Sequence, residues 1–391
     1  MSVRNTVAST LFLALWAAVV TAADWPCYLG ANRDNTSPEK NLKLWSGDSA
    51  KPLWKKNVGI GHSCMVVVGD RLYTQGAGAV WCLQAATGDT VWTYPAEAKR
   101  RGGETTATPA VDNGMVLALN HDHMLLCLDA AKGQLQWSKK VDDFGVKRGG
   151  WALSGSPLVV GDHVLMDLGV VFLLDKKTGE LVWKAGTETA GYASAVVFPR
   201  GNDKLVTSFN ADGLAIYKLA GDALAKYPWA TAHRVNSATP IVSGDKFFIS
   251  SGYGRGCALL KLEGGELKKL WENKELNSHC QTPVLHAGCL YGIHGQQGQK
   301  GSLKCLDFET GQVKWEEKGM KVGGGLTLAD GKLFVMLDGG TLVVAEASPG
   351  GYRELARSQV LDGQCWTMPM VANGRVYCRS HEGELICLNL R

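Results

Sequence analysis

Short apolar segments recur along the whole chain, and residues typical of tight turns separate each segment from the next. None of the segments extends into the 3.6-residue periodicity of an amphipathic helix, whereas their length and spacing fit β-strands. The period shows in six tryptophans that stand 42 to 46 residues apart: Trp92, Trp137, Trp183, Trp229, Trp271 and Trp315. Four strands in a unit of about 45 residues form a β-propeller blade, so the pattern predicts an all-β chain of four-stranded antiparallel blades.

Counting the units predicts eight blades. Their inner strands are expected to begin near Met65, Pro109, Pro157, Val196, Pro240, Pro283, Leu326 and Pro369. The last unit ends after its third strand, Leu385–Leu388, whereas Pro52–Lys56 carries an outer-strand tryptophan with no unit before it. We therefore expect the N-terminal strand to complete the C-terminal blade, which closes the ring and removes the exposed edges that favour aggregation.

The repeated tryptophans are expected to lie on outer strands and to cover the seams between neighbouring blades. Turns containing glycine precede most of them, as in Thr87-Gly88, Lys132-Gly133 and Thr178-Gly179. Glycine supplies the positive φ that a tight hairpin turn requires. We therefore interpret these tryptophans as structural rather than as a binding surface.

The first 23 residues have the features of an export signal, and the propeller is expected over residues 24–391. Arg4 supplies the positive charge, Leu11–Val20 the apolar run, and Thr21-Ala22-Ala23 a small-residue cleavage site. The run is shorter than the ~20 residues of a membrane span, and an uncleaved N-terminal anchor is the alternative. We expect a periplasmic or extracellular monomer with no membrane span in its mature form.

Charge and cysteine content argue against two classes of function, nucleic-acid binding and zinc or thiol-redox chemistry. The net charge of +4 is too small an excess to predict nucleic-acid binding. The number of cysteines is eleven, so at least one is expected to be free or to pair between chains. The sequence contains no Cys-x-x-Cys pair, which is the arrangement that would favour zinc binding or thiol-redox chemistry. Four cysteines occupy the same position of the repeat, where a small buried hydrophobe fits: Cys82, Cys127, Cys305 and Cys387.

Three segments share the pattern Leu-Asp-x-x-x-Gly-x-x-x-Trp: Leu128–Trp137, Leu174–Trp183 and Leu306–Trp315. This pattern resembles the repeat of the PQQ-type, or quinoprotein-like, β-propeller family, and Trp25–Asp34 is similar to the segment that begins many such propellers. The resemblance covers residues 24–391. It implies one of two branches: dehydrogenases that hold PQQ and Ca²⁺ at one mouth of an eight-bladed disc, or non-enzymatic proteins that include a docking scaffold for outer-membrane β-barrel assembly.

The dehydrogenase branch makes demands that this sequence does not meet. The repeats leave no room for the long inserted loops that cap the cofactor in those enzymes, and no vicinal cysteine pair occurs. Ca²⁺ requires six to eight oxygen ligands, usually from several converging carboxylates. The acids of the corresponding loops each stand alone: Glu104, Asp122, Asp212, Asp338, Asp362 and Glu382. We expect a non-enzymatic binding scaffold without catalytic residues or cofactor, and a reduced PQQ- and Ca²⁺-dependent alcohol or sugar dehydrogenase is the alternative.

The connections between blades are basic, and in a propeller they emerge on one face together with the turns between middle strands. Glycines flank most of the cations, as in Lys99–Gly103 and Lys147–Gly150. Converging cations attract anions, and tryptophan offers a stacking surface. The candidate ligand-binding residues are therefore Arg101, Arg148, Arg234, Lys321, His62, His279, Trp151 and Trp366.

Several partners fit such a face. An envelope or secreted protein is one, and an acidic ligand such as a sulfated or carboxylated saccharide is another. The alternative is that the cations are ordinary solvated loop charges. A metal site is not expected, because His121 and His123 form the only close histidine pair in the sequence.

Overall fold

The computed structural model describes residues 23–47, 49–95 and 105–391, and it shows an eight-bladed β-propeller of four-stranded antiparallel sheets. The strands of blades 1 to 4 are as follows: Val66–Val68 (β3), Arg71–Gly76 (β4), Ala79–Gln84 (β5) and Thr90–Pro95 (β6); Ala110–Asp112 (β7), Met115–Leu119 (β8), Met124–Asp129 (β9) and Leu135–Lys140 (β10); Leu158–Val160 (β11), His163–Leu168 (β12), Val170–Asp175 (β13) and Leu181–Ala185 (β14); Val196–Arg200 (β15), Asp203–Asn210 (β16), Gly213–Lys218 (β17) and Ala223–Pro228 (β18).

Blades 5 to 8 continue the same order, except that two N-terminal strands join the last two sheets. Their strands are Ile241–Ser243 (β19), Lys246–Ser251 (β20), Gly256–Glu263 (β21) and Glu266–Asn273 (β22); Val284–His286 (β23), Cys289–His294 (β24), Lys300–Asp307 (β25) and Val313–Lys321 (β26); Gly325–Ala329 (β27), Lys332–Met336 (β28), Thr341–Glu346 (β29) and Glu354–Gln359 (β30), with Thr36–Ser37 (β1) added; Met370–Ala372 (β31), Arg375–Arg379 (β32), Glu384–Asn389 (β33) and Pro52–Asn57 (β2).

These strands confirm the predicted all-β fold, and every inner strand begins within one residue of its predicted start. A short 3₁₀-helix, Val141–Phe144, follows the outer strand of blade 2. Within the described ranges, no helix reaches the length and hydrophobicity that crossing a membrane requires.

The N-terminal strand completes the C-terminal blade, as predicted. β2 pairs antiparallel with β33 and places Trp54 opposite Cys387. Arg379 of β32 links blade 8 to the repeat of blade 1, because its fully buried guanidinium donates to the carbonyl oxygens of Ser63 and Gln75 at 2.8 and 2.6 Å. The ring is therefore closed by an N-terminal strand and by a buried cation whose two terminal nitrogens donate to carbonyl groups.

In the described part of the chain, five of the eight seams between blades are built from an indole and a glycine. Trp92 of blade 1 donates from Nε1 to the carbonyl of Ala130 at 3.0 Å, and its ring lies on Gly133 in the turn of blade 2. A Cβ at Gly133 would lie 2.6 Å from that ring. The same contact recurs around the ring, with Trp54 on Gly88, Trp137 on Gly179 and Trp271 on Gly311. Glycine is thus required both for its positive φ, as predicted, and for the close approach of the indole.

Trp229 does not lie on an outer strand, so our expectation for the position of this residue is wrong. The corresponding position of the outer strand β18 is occupied by Ala225, which pairs with the third strand of blade 4. Trp229 lies four residues further along the chain, is fully buried, and donates to Ser251 Oγ at 3.1 Å. The guanidinium of Arg255 lies 3.3 Å from the centroid of its ring. Because Trp229 keeps nearly the same spacing as the other tryptophans, the sequence does not reveal this shift.

A belt of hydroxyl groups joins the inner ends of six neighbouring blades. In each step a backbone N–H donates to the hydroxyl of the equivalent residue in the next blade, at 3.0 to 3.2 Å: Cys64 to Thr108, Thr108 to Ser156, Ser156 to Ser194, Ser194 to Thr239, and Thr239 to Thr282. All five hydroxyl residues are buried. Because a buried N–H needs an acceptor, the belt fixes the spacing of the blades around the axis.

Replacing Gly133 by alanine should destabilise the propeller more than replacing Gly114. Both glycines have positive φ, +70° and +77°, but open space surrounds the Cβ position of Gly114. We expect Gly114→Ala to cost about 1–3 kcal/mol from backbone strain, and Gly133→Ala to cost about 1–3 kcal/mol more because its methyl group overlaps Trp92. Urea unfolding of both variants measures the difference, and an equal loss in both would contradict the proposed packing of the seam.

Thr239→Val should weaken the hydroxyl belt without leaving a cavity. The N–H of Ser194 then lacks its acceptor in a buried position, so we expect a loss of about 1–3 kcal/mol in the free energy of unfolding. Thr90→Val on the exposed face of β6 is the matched control, with a change of about 0.5 kcal/mol or less. The role of the belt is refuted when the two variants unfold at the same urea concentration.

Candidate functional site

A cavity of about 860 Å³ lies where the eight blades meet. Every connection between blades contributes to its wall: His62, Thr106, Arg148, Tyr192, Val235, His279, Gly324 and Trp366. The turns between middle strands add His121, His123, Tyr253, Gln296, Gln297 and His381. The two sets of loops therefore share one face, as predicted, and we call this the mouth face.

The N-terminal segment, residues 24–37, contributes the inner end of the cavity. It begins against blade 1, where Trp25 exchanges two backbone hydrogen bonds with Val67, and ends as β1, which pairs in parallel with β27 of blade 7. Between these points Tyr28 and Asn35 reach the cavity wall. The side chain of Asn35 is held by the carbonyl of Leu326, to which its amide donates.

Stacked aromatic rings form one part of the wall. The imidazole of His62 lies between two rings, with its centroid 4.4 Å from that of His381 and 5.6 Å from that of Trp366. Burial, together with the nearby charges of His381 and Arg379, lowers the pKa of His62 to about 4. His62 is therefore uncharged at neutral pH, and this part of the wall offers a flat, neutral surface.

A second aromatic group lies across the cavity in the blade 4 to blade 6 region. The ring of Tyr253 meets His279 edge-on, with centroids 4.9 Å apart, and meets His233 at 4.7 Å. Burial also lowers the pKa of His279, whose imidazole hydrogen-bonds to Gln297. The backbone N–H of Tyr253 donates to Gln296 Oε1 at 3.0 Å, which fixes the orientation of that amide.

The structure brings five of the eight predicted ligand-binding residues together. His62, His279, Arg148, Trp151 and Trp366 all line the cavity. They come from four different connections between blades, so their proximity depends on the closed ring. These five residues define the candidate site.

The other predicted cations are placed differently. Arg234 is paired with Asp212 at 2.6 Å, and both side chains are more than half exposed. Lys321 is paired with the buried carboxylate of Asp338 at 3.0 Å. Neither cation lines the cavity. Arg101 lies outside the described residues. Of the predicted cations within the described residues, Arg148 lines the cavity, whereas Arg234 and Lys321 do not.

Arg148 and Trp151 lie on a loop that the neighbouring blade holds in place. The carbonyl of Lys147 accepts the N–H of Ala190 at 2.7 Å, and the N–H of Trp151 donates to the hydroxyl of Tyr192 at 3.1 Å. The side chain of Trp151 is nevertheless 70% exposed. A fixed backbone thus presents a large apolar side chain to solvent at the mouth of the cavity.

The donor groups of the cavity wall do not match those that Ca²⁺ requires. None of the lining residues is an aspartate or a glutamate, whereas Ca²⁺ requires several oxygen ligands with carboxylates among them. Asp212 and Asp338, two of the acids considered for that role, are paired with cations. His123 hydrogen-bonds to Asp142 at 2.8 Å, and no group of three or more potential metal ligands occurs in the described ranges. The wall does not fit the Ca²⁺ that accompanies PQQ.

Sequence analysis did not identify several of the residues that line the cavity. Tyr28 and Asn35 come from a segment that no repeat predicts, and Gln296, Gln297 and Gln364 carry no motif. Ser156 and Thr282, which belong to the hydroxyl belt, also line the cavity. A recurring Ser/Thr-Pro pair at the start of inner strands was the available signal for the belt, as in Ser156-Pro157.

Comparisons with known proteins agree with this geometry. The family model described as Outer membrane protein assembly factor BamB matches residues 39–198, 152–317 and 299–391. The protein of that name from Moranella endobia (strain PCIT) is 25% identical over 377 residues, which cover 85% of this chain and 89% of that protein. Crystal structures of BamB from Moraxella catarrhalis and of a quinohemoprotein alcohol dehydrogenase from Comamonas testosteroni share the fold. Their TM-scores are 0.68 and 0.73, at 18% and 14% identity; the first match covers 87% of this chain and 99% of the other, the second 94% and 80%.

Proposed function

The chain belongs to the family described as Outer membrane protein assembly factor BamB, and from this premise we propose that it is an exported, non-enzymatic scaffold for outer-membrane protein assembly. The process, outer-membrane protein assembly, is taken from the name of its relatives. The mouth face supplies the surface on which an envelope protein docks. The observation that carries the proposal is the exposed Trp151 on a loop with a fixed backbone.

Trp151 has the properties of an interface anchor. Tryptophan and arginine are the residues that most often dominate the binding energy of protein interfaces. Because hydrogen bonds to blade 3 already hold the loop, docking a partner costs little conformational entropy in this segment. Arg148 stands three residues earlier and lines the cavity. In this proposal it binds an acidic group of the partner.

The acidic ligand predicted from the sequence is received at Arg148 in this proposal. Arg234 and Lys321 already have carboxylate partners, so an acidic group would have to displace Asp212 or Asp338 to bind them. The non-enzymatic role is supported by the donor set of the wall, which does not fit Ca²⁺. Export is supported by the composition of the first 23 residues, of which 1–22 lie outside the described part of the chain.

Trp151→Ala should impair outer-membrane protein assembly while leaving the propeller folded. We expect a loss of about 2 kcal/mol of binding energy, or about thirtyfold in affinity, because the variant removes a central aromatic anchor. The measurement is the amount of folded β-barrel protein, judged by heat-modifiable gel mobility, in membranes of source cells that carry the variant in place of the wild-type gene.

Leu181→Ala is the matched control, because Leu181 is an exposed apolar residue on the outer strand of blade 3. It should support normal assembly. A photo-crosslinker at position 151 should capture a membrane-protein assembly component, and one at position 181 should not. If the Trp151→Ala variant is present at its normal level and assembly is still normal, the loop that carries Arg148 and Trp151 is not the docking surface.

A further inference from the structure

The wall of the central cavity is rich in groups that both donate and accept hydrogen bonds. Four glutamines and several hydroxyls line it: Gln281, Gln296, Gln297, Gln364, Thr106, Ser154, Ser237, Tyr192 and Tyr253. Among the described residues the lining holds one guanidinium, that of Arg148, and no carboxylate. Because a buried charge needs a partner of opposite sign, this wall favours a ligand that is uncharged or carries a single negative charge.

Amides and hydroxyls match a ligand whose own groups are hydroxyls. A hydroxyl donates one hydrogen bond and accepts others, and so does each glutamine amide through its separate NH₂ and carbonyl groups. Some of these amides are already held in place: Gln281 donates to the carbonyl of Gly323 at 2.7 Å, and Gln296 accepts from Tyr253. The side chain of Gln364 makes no hydrogen bond to another described residue.

The aromatic rings supply the complementary apolar surfaces. The stack of His62, Trp366 and His381 is neutral in its centre and flat, and Tyr253 with His279 lies in the same cavity. Ring faces of this kind pack against the C–H groups of a sugar ring, which shows hydroxyls at its edge and C–H bonds on its faces. The combination of flat rings with amides therefore matches the two kinds of surface that a saccharide presents.

The size of the cavity is consistent with such a ligand. Its volume of about 860 Å³ falls within the range of small-molecule pockets, roughly 300–1,000 Å³. Tyr28 and Asn35 bound it at the inner end, so a ligand enters from the mouth face. We propose that the central cavity is a saccharide site that takes a mono- or disaccharide, neutral or with one carboxylate. This binding activity goes beyond docking of an envelope protein and does not depend on it.

The test is calorimetric titration of the full exported protein with galactose, galacturonate, N-acetylglucosamine, maltose and cellobiose. We expect saturable one-to-one binding of at least one of these sugars below about 10 mM. Trp366→Ala should weaken that binding about tenfold or more, because it removes one face of the ring stack. Gln364→Leu should weaken it similarly, and this variant removes the amide while it preserves most of the side-chain volume.

Matched controls separate a local effect from a loss of fold. Trp45→Ala removes a half-buried tryptophan outside the cavity, and Gln134→Leu replaces an exposed glutamine in the turn of blade 2. Both should bind the sugar as the wild type does, and thermal melting verifies that all four variants are folded. Arg148→Ala should weaken galacturonate but not galactose, which distinguishes the acidic from the neutral ligand.

Three outcomes would overturn the proposal. The first is no saturable heat with any of the five sugars up to about 10 mM. The second is binding that Trp366→Ala and Gln364→Leu leave unchanged, which would place the sugar elsewhere. The third is sugar binding that an acidic peptide competes away at Arg148 while the Gln364 variant has no effect, which would assign the cavity to a protein segment.

Discussion

The contact between an indole ring and a turn glycine is the constraint on which the rest of the molecule depends. In the described part of the chain, five tryptophans of outer strands lie on a turn glycine of the next blade, and each donates to a carbonyl beside it, as Trp137 does to Lys176 at 2.9 Å. The flat ring sets the distance between the blades, and the N–H bond sets their register. At these five seams the contact sets the spacing of neighbouring blades, and with it the distance of their inner strands from the axis on which the cavity lies.

A second set of contacts, the hydrogen bonds at the inner ends of the blades, complements the indole contacts at the outer strands. The hydroxyl belt joins the inner ends of blades 1 to 6 at nearly constant hydrogen-bond lengths. Blades 7 and 8 are tied differently: Thr327 Oγ1 donates to the carbonyl of Pro369 at 2.6 Å, and β1 adds a parallel strand beside β27. The N-terminal segment therefore takes over where the belt ends. In doing so it turns the space on the axis into a cavity with a defined inner end.

The sequence predicts the blades well because the signals of a repeat are local. A turn, a strand and the next turn lie within a few tens of residues, so the pattern around Asp129 and Gly133 is enough to place β9 and β10. The mouth face follows from the same reasoning, and five predicted residues meet there. The N-terminal segment could not be predicted, because Asn35 contacts Leu326 across 291 residues of sequence. The ion pair of Lys321 with Asp338 was missed for a related reason, since Lys321 ends β26 of blade 6 and Asp338 lies in a turn of blade 7.

The two ion pairs of the mouth loops, Lys321 with Asp338 and Arg234 with Asp212, affect which groups the mouth face leaves available. The fold is shared with dehydrogenases, yet what a propeller binds depends on which groups its mouth loops leave available. Here Asp338, only 7% exposed, is neutralised by Lys321, and Asp212 by Arg234, so neither carboxylate is free for a metal ion. What remains at the centre is a neutral wall of rings and amides, with Arg148 and Trp151 at its rim. Two ion pairs of the described mouth loops thus engage charges that a ligand would otherwise meet, and we propose that recognition rests on the uncharged groups of the wall and on the loop of Arg148 and Trp151.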